Sequence, residues 1–219
     1  MQIAIDGPAG AGKSTIAKAL SKKLGFMYVD TGAMYRTIAL ACIETGTDTD
    51  DEEAVSKVCA DADIDIRYED GIQHMFLDGR DVSSEIRREQ VGNGASAVSR
   101  FGAVRERLVA MQKELGSRYD VVMDGRDIGT KVLPEAELKI YLTASARCRA
   151  MRRYLELKER GEDPVLEDIR RDIETRDHND MTRAVSPLIQ AEDSILVDTS
   201  EMTIDEVISH ITGLFENIR

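Results

Sequence analysis

Gly7-Pro8-Ala9-Gly10-Ala11-Gly12-Lys13-Ser14 follows the apolar run Ile3-Ala4-Ile5 and precedes a stretch of helical pattern from Thr15 to Leu24. A glycine-rich loop between a strand and a helix can turn successive backbone N–H groups inward around phosphate oxygens, while the helix N-terminus adds partial positive charge. In that setting Lys13 reaches the β- and γ-phosphates of a nucleotide and Ser14 ligates Mg²⁺. The competing explanation is a chance Gly-rich turn, which would also have to find its strand and its helix by chance.

Working outward, 219 residues suffice for one domain, or for a core with an inserted lobe, and can bury a real core. The formal net charge of −12 speaks against a general nucleic-acid surface, because neutralising phosphates takes a basic stripe. Positive groups are expected to be focused on a small anion. Cys42, Cys59 and Cys148 are odd in number, widely spaced and without a CxxC pair, so neither a disulfide framework nor a zinc site is indicated. A reducing cytoplasm fits best. No basic-plus-apolar leader precedes the first strand, and no apolar stretch approaches a bilayer-spanning length. Secretion and membrane insertion are not expected.

The periodicity gives strands near 2–6, 27–29, 121–123, 138–142 and 195–198. Helical patterns separate them at 14–24, 33–45, 51–60, 103–116, 146–160, 165–180 and 203–216. The alternation predicts an α/β fold in which a parallel sheet is covered by helices on both faces. The exception is 63–82, where Ile64-Asp-Ile66-Arg-Tyr68, Met75-Phe-Leu77 and Val82 are punctuated by Asp70-Gly71 and Asp78-Gly79. That turn chemistry predicts a small antiparallel hairpin or meander, inserted as a lobe.

Several further segments carry candidate chemistry, each with a plainer alternative. Asp30-Thr31-Gly32-Ala33-Met34-Tyr35-Arg36 opens a helix with Asp30 or Thr31 as N-cap. It is either only a cap or a second phosphate site with Arg36 as charged partner. Val121-Val122-Met123-Asp124-Gly125-Arg126-Asp127-Ile128-Gly129 ends a strand in a polar turn, where open α/β sheets place ligand contacts. There Asp124 is a candidate to hold a Mg²⁺-bound water and Arg126 to meet a phosphate, against an ordinary surface turn. Arg147, Arg149, Arg152 and Arg153 share a helix whose patterning alone favours a solvated basic face. Arg176, Asp180 and Arg183, at i, i+4 and i+7, are expected on one side of a helix ending before Pro187. They form either a salt-bridged face or part of a closing lid. Ser96 lies among small residues whose default role is packing, and Arg105 alone is unremarkable. His74, His178 and His210 lack metal-ligand spacing, and no acyl-transfer arrangement is present.

Five stretches together resemble the bacterial cytidylate kinase family, within the nucleoside monophosphate kinases, along essentially the whole chain. They are Asp6–Thr15, Asp30–Arg36, Val82-Ser-Ser-Glu-Ile-Arg87, Asp124-Gly-Arg-Asp-Ile-Gly-Thr130 and Arg183-Ala-Val-Ser-Pro187. The resemblance implies a P-loop core over 1–30, 84–146 and 184–219, a monophosphate-binding lobe over 31–83 with its insert at 63–82, and a lid over 147–183. It implies phosphorylation of CMP and dCMP by ATP with Mg²⁺. A monomer is expected. ATP would lie on Gly7, Pro8, Ala9, Gly10, Ala11, Gly12, Lys13, Ser14 and Thr15, with Arg149, Arg152 and Arg153 from the lid. Ser96, Arg105 and Asp127 would read cytosine, Asp127 accepting from the exocyclic amine that uracil lacks. Thr31, Arg176 and Asp180 would hold the sugar, and Arg36, Arg126 and Arg183 the acceptor phosphate. Thr31 stands where many members carry serine, so the hydroxyl is kept.

Two rival readings use the same loop. A nucleotide-gated switch would bind and slowly hydrolyse a triphosphate with no use of CMP, and the arginines on three separate segments argue against it. A kinase for AMP, UMP or shikimate is the nearer rival, which Asp127 and the insert disfavour.

Overall fold

The computed structural model describes residues 1–218. β1 (Gln2–Asp6) leads through the glycine loop into α1 (Lys13–Leu24), and β2 (Met27–Asp30) leads into α2 (Thr31–Glu44) and α3 (Glu52–Asp61). Three short strands follow, β3 (Ile64–Glu69), β4 (Ile72–Leu77) and β5 (Arg80–Asp81), then α4 (Glu89–Val98) and α5 (Gly102–Arg118). After them come β6 (Val121–Gly125), β7 (Leu138–Thr143), α6 (Ala146–Glu159), α7 (Leu166–Thr182), β8 (Ile195–Asp198) and α8 (Ile204–Glu216).

Five strands form one sheet in the order β2-β6-β1-β7-β8, and β3-β4-β5 form a second. β1 runs parallel to β7, with Ile3 opposite Leu138 and Asp6 opposite Tyr141, and β7 runs parallel to β8. The expected parallel sheet flanked by helices is therefore present, with the small antiparallel sheet beside it in sequence. β1 and β6 read as near-continuous apolar runs because a parallel sheet buries both of its faces.

The chain divides into two compact units, Met1–Phe26 with Val122–Arg219, and Met27–Val121. In the first, Ile3 and Ile5 of β1, Leu20 of α1, Ile140 and Leu142 of β7 and Ile211 and Phe215 of α8 are buried. Each such side chain contributes about 1.5–3 kcal/mol of burial. Phe26 meets Phe215 edge-on at 5.7 Å between ring centroids, and α8 starts from a capping box made by Thr203 and Glu206.

The second unit packs α2, α3, α4 and α5 with the small sheet around Met34, Ile38, Val55, Met75, Val91 and Leu108. Its hairpin turns follow the sequence. Asp70 and Gly71 adopt φ of 51° and 77°, and Asp78 and Gly79 adopt 51° and 78°, the paired left-handed conformation that twists two strands back onto each other. The third strand is Arg80–Asp81 rather than Val82, which is buried and donates its N–H to the Met75 carbonyl at 2.8 Å.

Two elements were not foreseen. α4 carries Gly92 and Gly94, which lower helix propensity. Gly94 is where α4 lies against α2, because a Cβ there would sit 3.2 Å from the Ala39 methyl. Residues Ile128–Val132, expected from sequence to belong to a polar, glycine-flanked turn, form a single π-helical turn, a rare arrangement frequent at functional sites.

Candidate functional site

The glycine loop has the conformation that its sequence demands. Gly7 has φ +149° and no room for a side chain, since a Cβ would run into the Leu142 carbonyl, and Gly12 has φ +89° at the start of α1. Lys13 is buried and turns its ammonium back to the Pro8 carbonyl at 2.7 Å. Burial, and then the neighbouring Arg126 guanidinium, lower its pKa to about 7, against the opposing pull of Asp124, Asp180 and Asp6. A phosphate arriving beside it would restore the charge. Ser14 donates to the Asp124 carboxylate at 2.9 Å, so the first turn of α1 and the end of β6 present a pair of hard oxygen ligands suited to Mg²⁺.

Beyond Asp124 the turn joins α7. Arg126 donates from Nε to Asp180 Oδ2 at 2.6 Å and from Nη1 to the Gly125 carbonyl at 3.2 Å. Arg183 lies 3.7 Å from Asp180 Oδ1 and 3.8 Å from Asp127 Oδ1, and its Nε donates to the Ser186 carbonyl at 2.7 Å. Arg126, Asp127, Asp180 and Arg183 are thus brought together from distant segments. Arg183 does not project from the helix as the spacing implied. α7 ends at Thr182, and Arg183 follows with φ −60° and ψ 143°, so an extended residue carries its guanidinium to Asp127. Arg176 leans one turn back to Asp172 at 3.1 Å.

The three arginines expected of a lid point to three places. Arg149 is buried and donates to the Ala144 carbonyl at 2.8 Å and to the Ala9 carbonyl of the glycine loop at 2.8 Å. It also pairs with Asp177 at 2.6 Å. Arg152 donates to the Thr199 hydroxyl and carbonyl at 3.1 and 2.6 Å, and Arg153 pairs along the helix surface with Glu156 at 2.9 Å.

In the second unit, Asp30 caps α2 by accepting the Ala33 N–H at 2.9 Å, and it also holds two arginines. Arg36 lies 4.0 Å from Oδ1 and Arg87 3.0 Å from Oδ2. The cap that the sequence offered is present, and the Arg36 guanidinium lies beside the capping carboxylate. Thr31 is buried as the first residue of α2. Arg105, also buried, donates to the Ser99 carbonyl at 3.0 Å and stacks its guanidinium 5.4 Å from the Tyr35 ring centroid. Ser99 in turn donates its hydroxyl to the Ser96 carbonyl at 2.9 Å, which links Ser96 to Arg105 through one residue.

Three groups escaped the sequence reading as site residues. Arg87 stood inside a recognised stretch, but nothing local marked it as a partner of Asp30. Asp177 accepts the Ala9 N–H at 3.3 Å besides pairing with Arg149. Asp6 accepts from the Ile128 and Gly129 backbone N–H groups at 2.8 and 2.7 Å. Burial pushes the Asp6 carboxyl up to about 6 despite those two bonds.

The sequence profile of the cytidylate kinase family matches residues 3–217. The chain is 47% identical over 216 residues to a cytidylate kinase of Lactobacillus johnsonii, covering 99% of this chain and 94% of that one. It is 50% identical to a cytidylate kinase of Leuconostoc mesenteroides, covering 99% and 96%. It is 49% identical to one of Caldicellulosiruptor bescii, covering 100% and 96%. Among solved structures, an uncharacterized protein from Eubacterium ventriosum shares the fold with a TM-score of 0.55 at 12% identity, covering 99% of this chain and 98% of that one.

Proposed function

The chain belongs to the cytidylate kinase family, and from that premise we propose that it transfers the γ-phosphoryl group of ATP directly to the phosphate of CMP or dCMP. The observation that carries the reading is the Arg126–Asp180–Arg183–Asp127 network set beside Lys13, because a two-nucleotide transferase needs anion partners next to its donor loop.

The acceptor phosphate is already ionised at neutral pH, so an attacking oxygen needs no general base and the work is positioning and charge neutralisation. Residues 7–15 cradle ATP, with Arg149 bridging that loop to the lid and Arg152 and Arg153 the further lid contacts. Lys13, Arg126 and Arg183 spread the charge of the transferring group. Ser14 and Asp124, the latter through a water, would hold Mg²⁺, which neutralises charge on the β- and γ-oxygens. On the acceptor side, Arg36, Arg126 and Arg183 receive the phosphate, Thr31, Arg176 and Asp180 the sugar, and Ser96, Arg105 and Asp127 the cytosine. A lid seated on the donor loop excludes water that would otherwise take the phosphoryl group. The scheme requires no second copy and no nucleic acid, and it suits a cytoplasmic monomer. No described helix is long and apolar enough to cross a membrane.

Coupled ADP release with ATP·Mg²⁺ and CMP, dCMP, UMP or AMP, against a blank without acceptor, tests the proposal. Turnover dominated by CMP and dCMP is expected. ADP release that ignores the acceptor would identify a hydrolytic switch instead.

A further inference from the structure

We infer that Asp6 is a positioning residue for base selection, its carboxylate anchoring the turn from which Asp127 reads cytosine. The inference rests on the proposed role of Asp127 and adds to it the residue that sets where that side chain stands.

Asp6 is the last residue of β1, immediately ahead of Gly7, and only 5% exposed. Both of its oxygens are used. Oδ1 accepts from Ile128 N–H at 2.8 Å and Oδ2 from Gly129 N–H at 2.7 Å, lengths usual for charge-assisted bonds. These are the two residues directly after Asp127, and they open the π-helical turn. The first amides of any helical turn lack partners within it, and a carboxylate from a distant strand supplies them here. The same turn is closed from inside by Lys131 N–H on the Asp127 carbonyl at 2.8 Å and Leu133 N–H on the Ile128 carbonyl at 2.7 Å.

Asp127 itself has φ −144° and ψ 28°, outside the regular helix and strand regions. Its carbonyl is held by the Lys131 N–H and the amides directly after it by Asp6, so the anchor shares in fixing where Asp127 stands. Gly129 is part of the same fit, because a Cβ there would lie 3.3 Å from Asp6 Oδ2 and 3.3 Å from the Lys139 side chain. Hydrogen-bond discrimination between an amine and a carbonyl on a base depends on where the acceptor stands. A carboxylate displaced by a fraction of an ångström still repels or attracts charge but no longer distinguishes the two edges well.

Asp6→Asn keeps the size and one acceptor and turns an N–H group toward a backbone N–H, which forces the turn to move. Steady-state kinetics on CMP and UMP for the wild type, Asp6→Asn, Asp127→Asn and Gly129→Ala, with thermal melts to establish folding, test the inference. Asp6→Asn is expected to lower the ratio of kcat/KM for CMP to that for UMP by about tenfold or more, mainly through the KM for CMP. Gly129→Ala should move the ratio the same way by less. A folded Asp6→Asn enzyme with the wild-type ratio, alongside an Asp127→Asn enzyme that has lost its preference, overturns the positioning role and leaves the base reading intact. An unchanged ratio in Asp127→Asn overturns the base reading itself. Were Asp6→Asn not to fold, an unchanged ratio in Gly129→Ala would overturn the inference.

Discussion

Lys13 is the residue on which the proposed donor chemistry converges. Its ammonium is buried and bonded to the Pro8 carbonyl, and burial and then the Arg126 guanidinium lower its pKa. Nothing in the packing of α1 depends on that charge, since the apolar anchors of the helix are Ile16, Ala17 and Leu20. Lys13→Met should therefore melt close to the wild type while losing turnover by orders of magnitude in the coupled assay. Wild-type activity in that variant would refute the assignment. A phosphate loop is legible from sequence because all its parts are neighbours: the Gly7 that must stand aside for Leu142, the Gly12 with positive φ, the lysine and the serine. The Asp30 cap and the Asp-Gly hairpin turns were legible for the same reason.

At the scale of elements, local reading stops where a side chain works on a distant segment. Asp6 and the amides it anchors are more than 120 residues apart, and no pattern around either announces the other. Arg149, Arg152 and Arg153 look alike in sequence, yet only their directions of departure from α6 send one to the glycine loop, one to Thr199 and one to Glu156. The i, i+4, i+7 spacing of Arg176, Asp180 and Arg183 suggested a single helical face, and the end of α7 at Thr182 broke it. Asp177 shows what α7 does with its buried side. It accepts from Ala9 N–H and pairs with Arg149, so the helix is fastened to the donor loop by one carboxylate. Asp177→Ala removes both links and leaves the buried Arg149 guanidinium with only carbonyl partners, so the cost should fall below the about 3–5 kcal/mol of a fully buried pair broken at one side. Amide exchange in α7 should quicken relative to α8, and ADP release without acceptor should rise as water gains entry. Exchange rates in α7 equal to those of the wild type would show that the helix is held by other means.

Across the whole molecule, stability follows pH in a window that Asp6 helps to set. Its carboxyl titrates near 6 in the fold against 3.8 ordinarily, so the folded chain keeps a proton there that the unfolded chain has already lost. The contribution is complete below about 3.8 and is lost as the pH rises through about 6. Asp127, Lys13 and Tyr141 surround this group and share its electrostatics. Asp6→Asn has no such titration, so the margin in Tm by which the wild type exceeds it should be larger at pH 4 than at pH 7. A margin that grows with pH would contradict this sign. A protein of net charge −12 that binds two polyanions faces a further problem, and its ion pairs answer it. Asp180, Asp177 and Asp127 sit on Arg126, Arg149 and Arg183, and Asp30 sits on Arg36 and Arg87. The arginines proposed above as nucleotide contacts, Arg36, Arg126, Arg149 and Arg183, are each paired with an internal carboxylate. On that proposal binding exchanges one anion for another, affinity is the difference between two well-made partnerships, and product leaves as a carboxylate takes back its arginine.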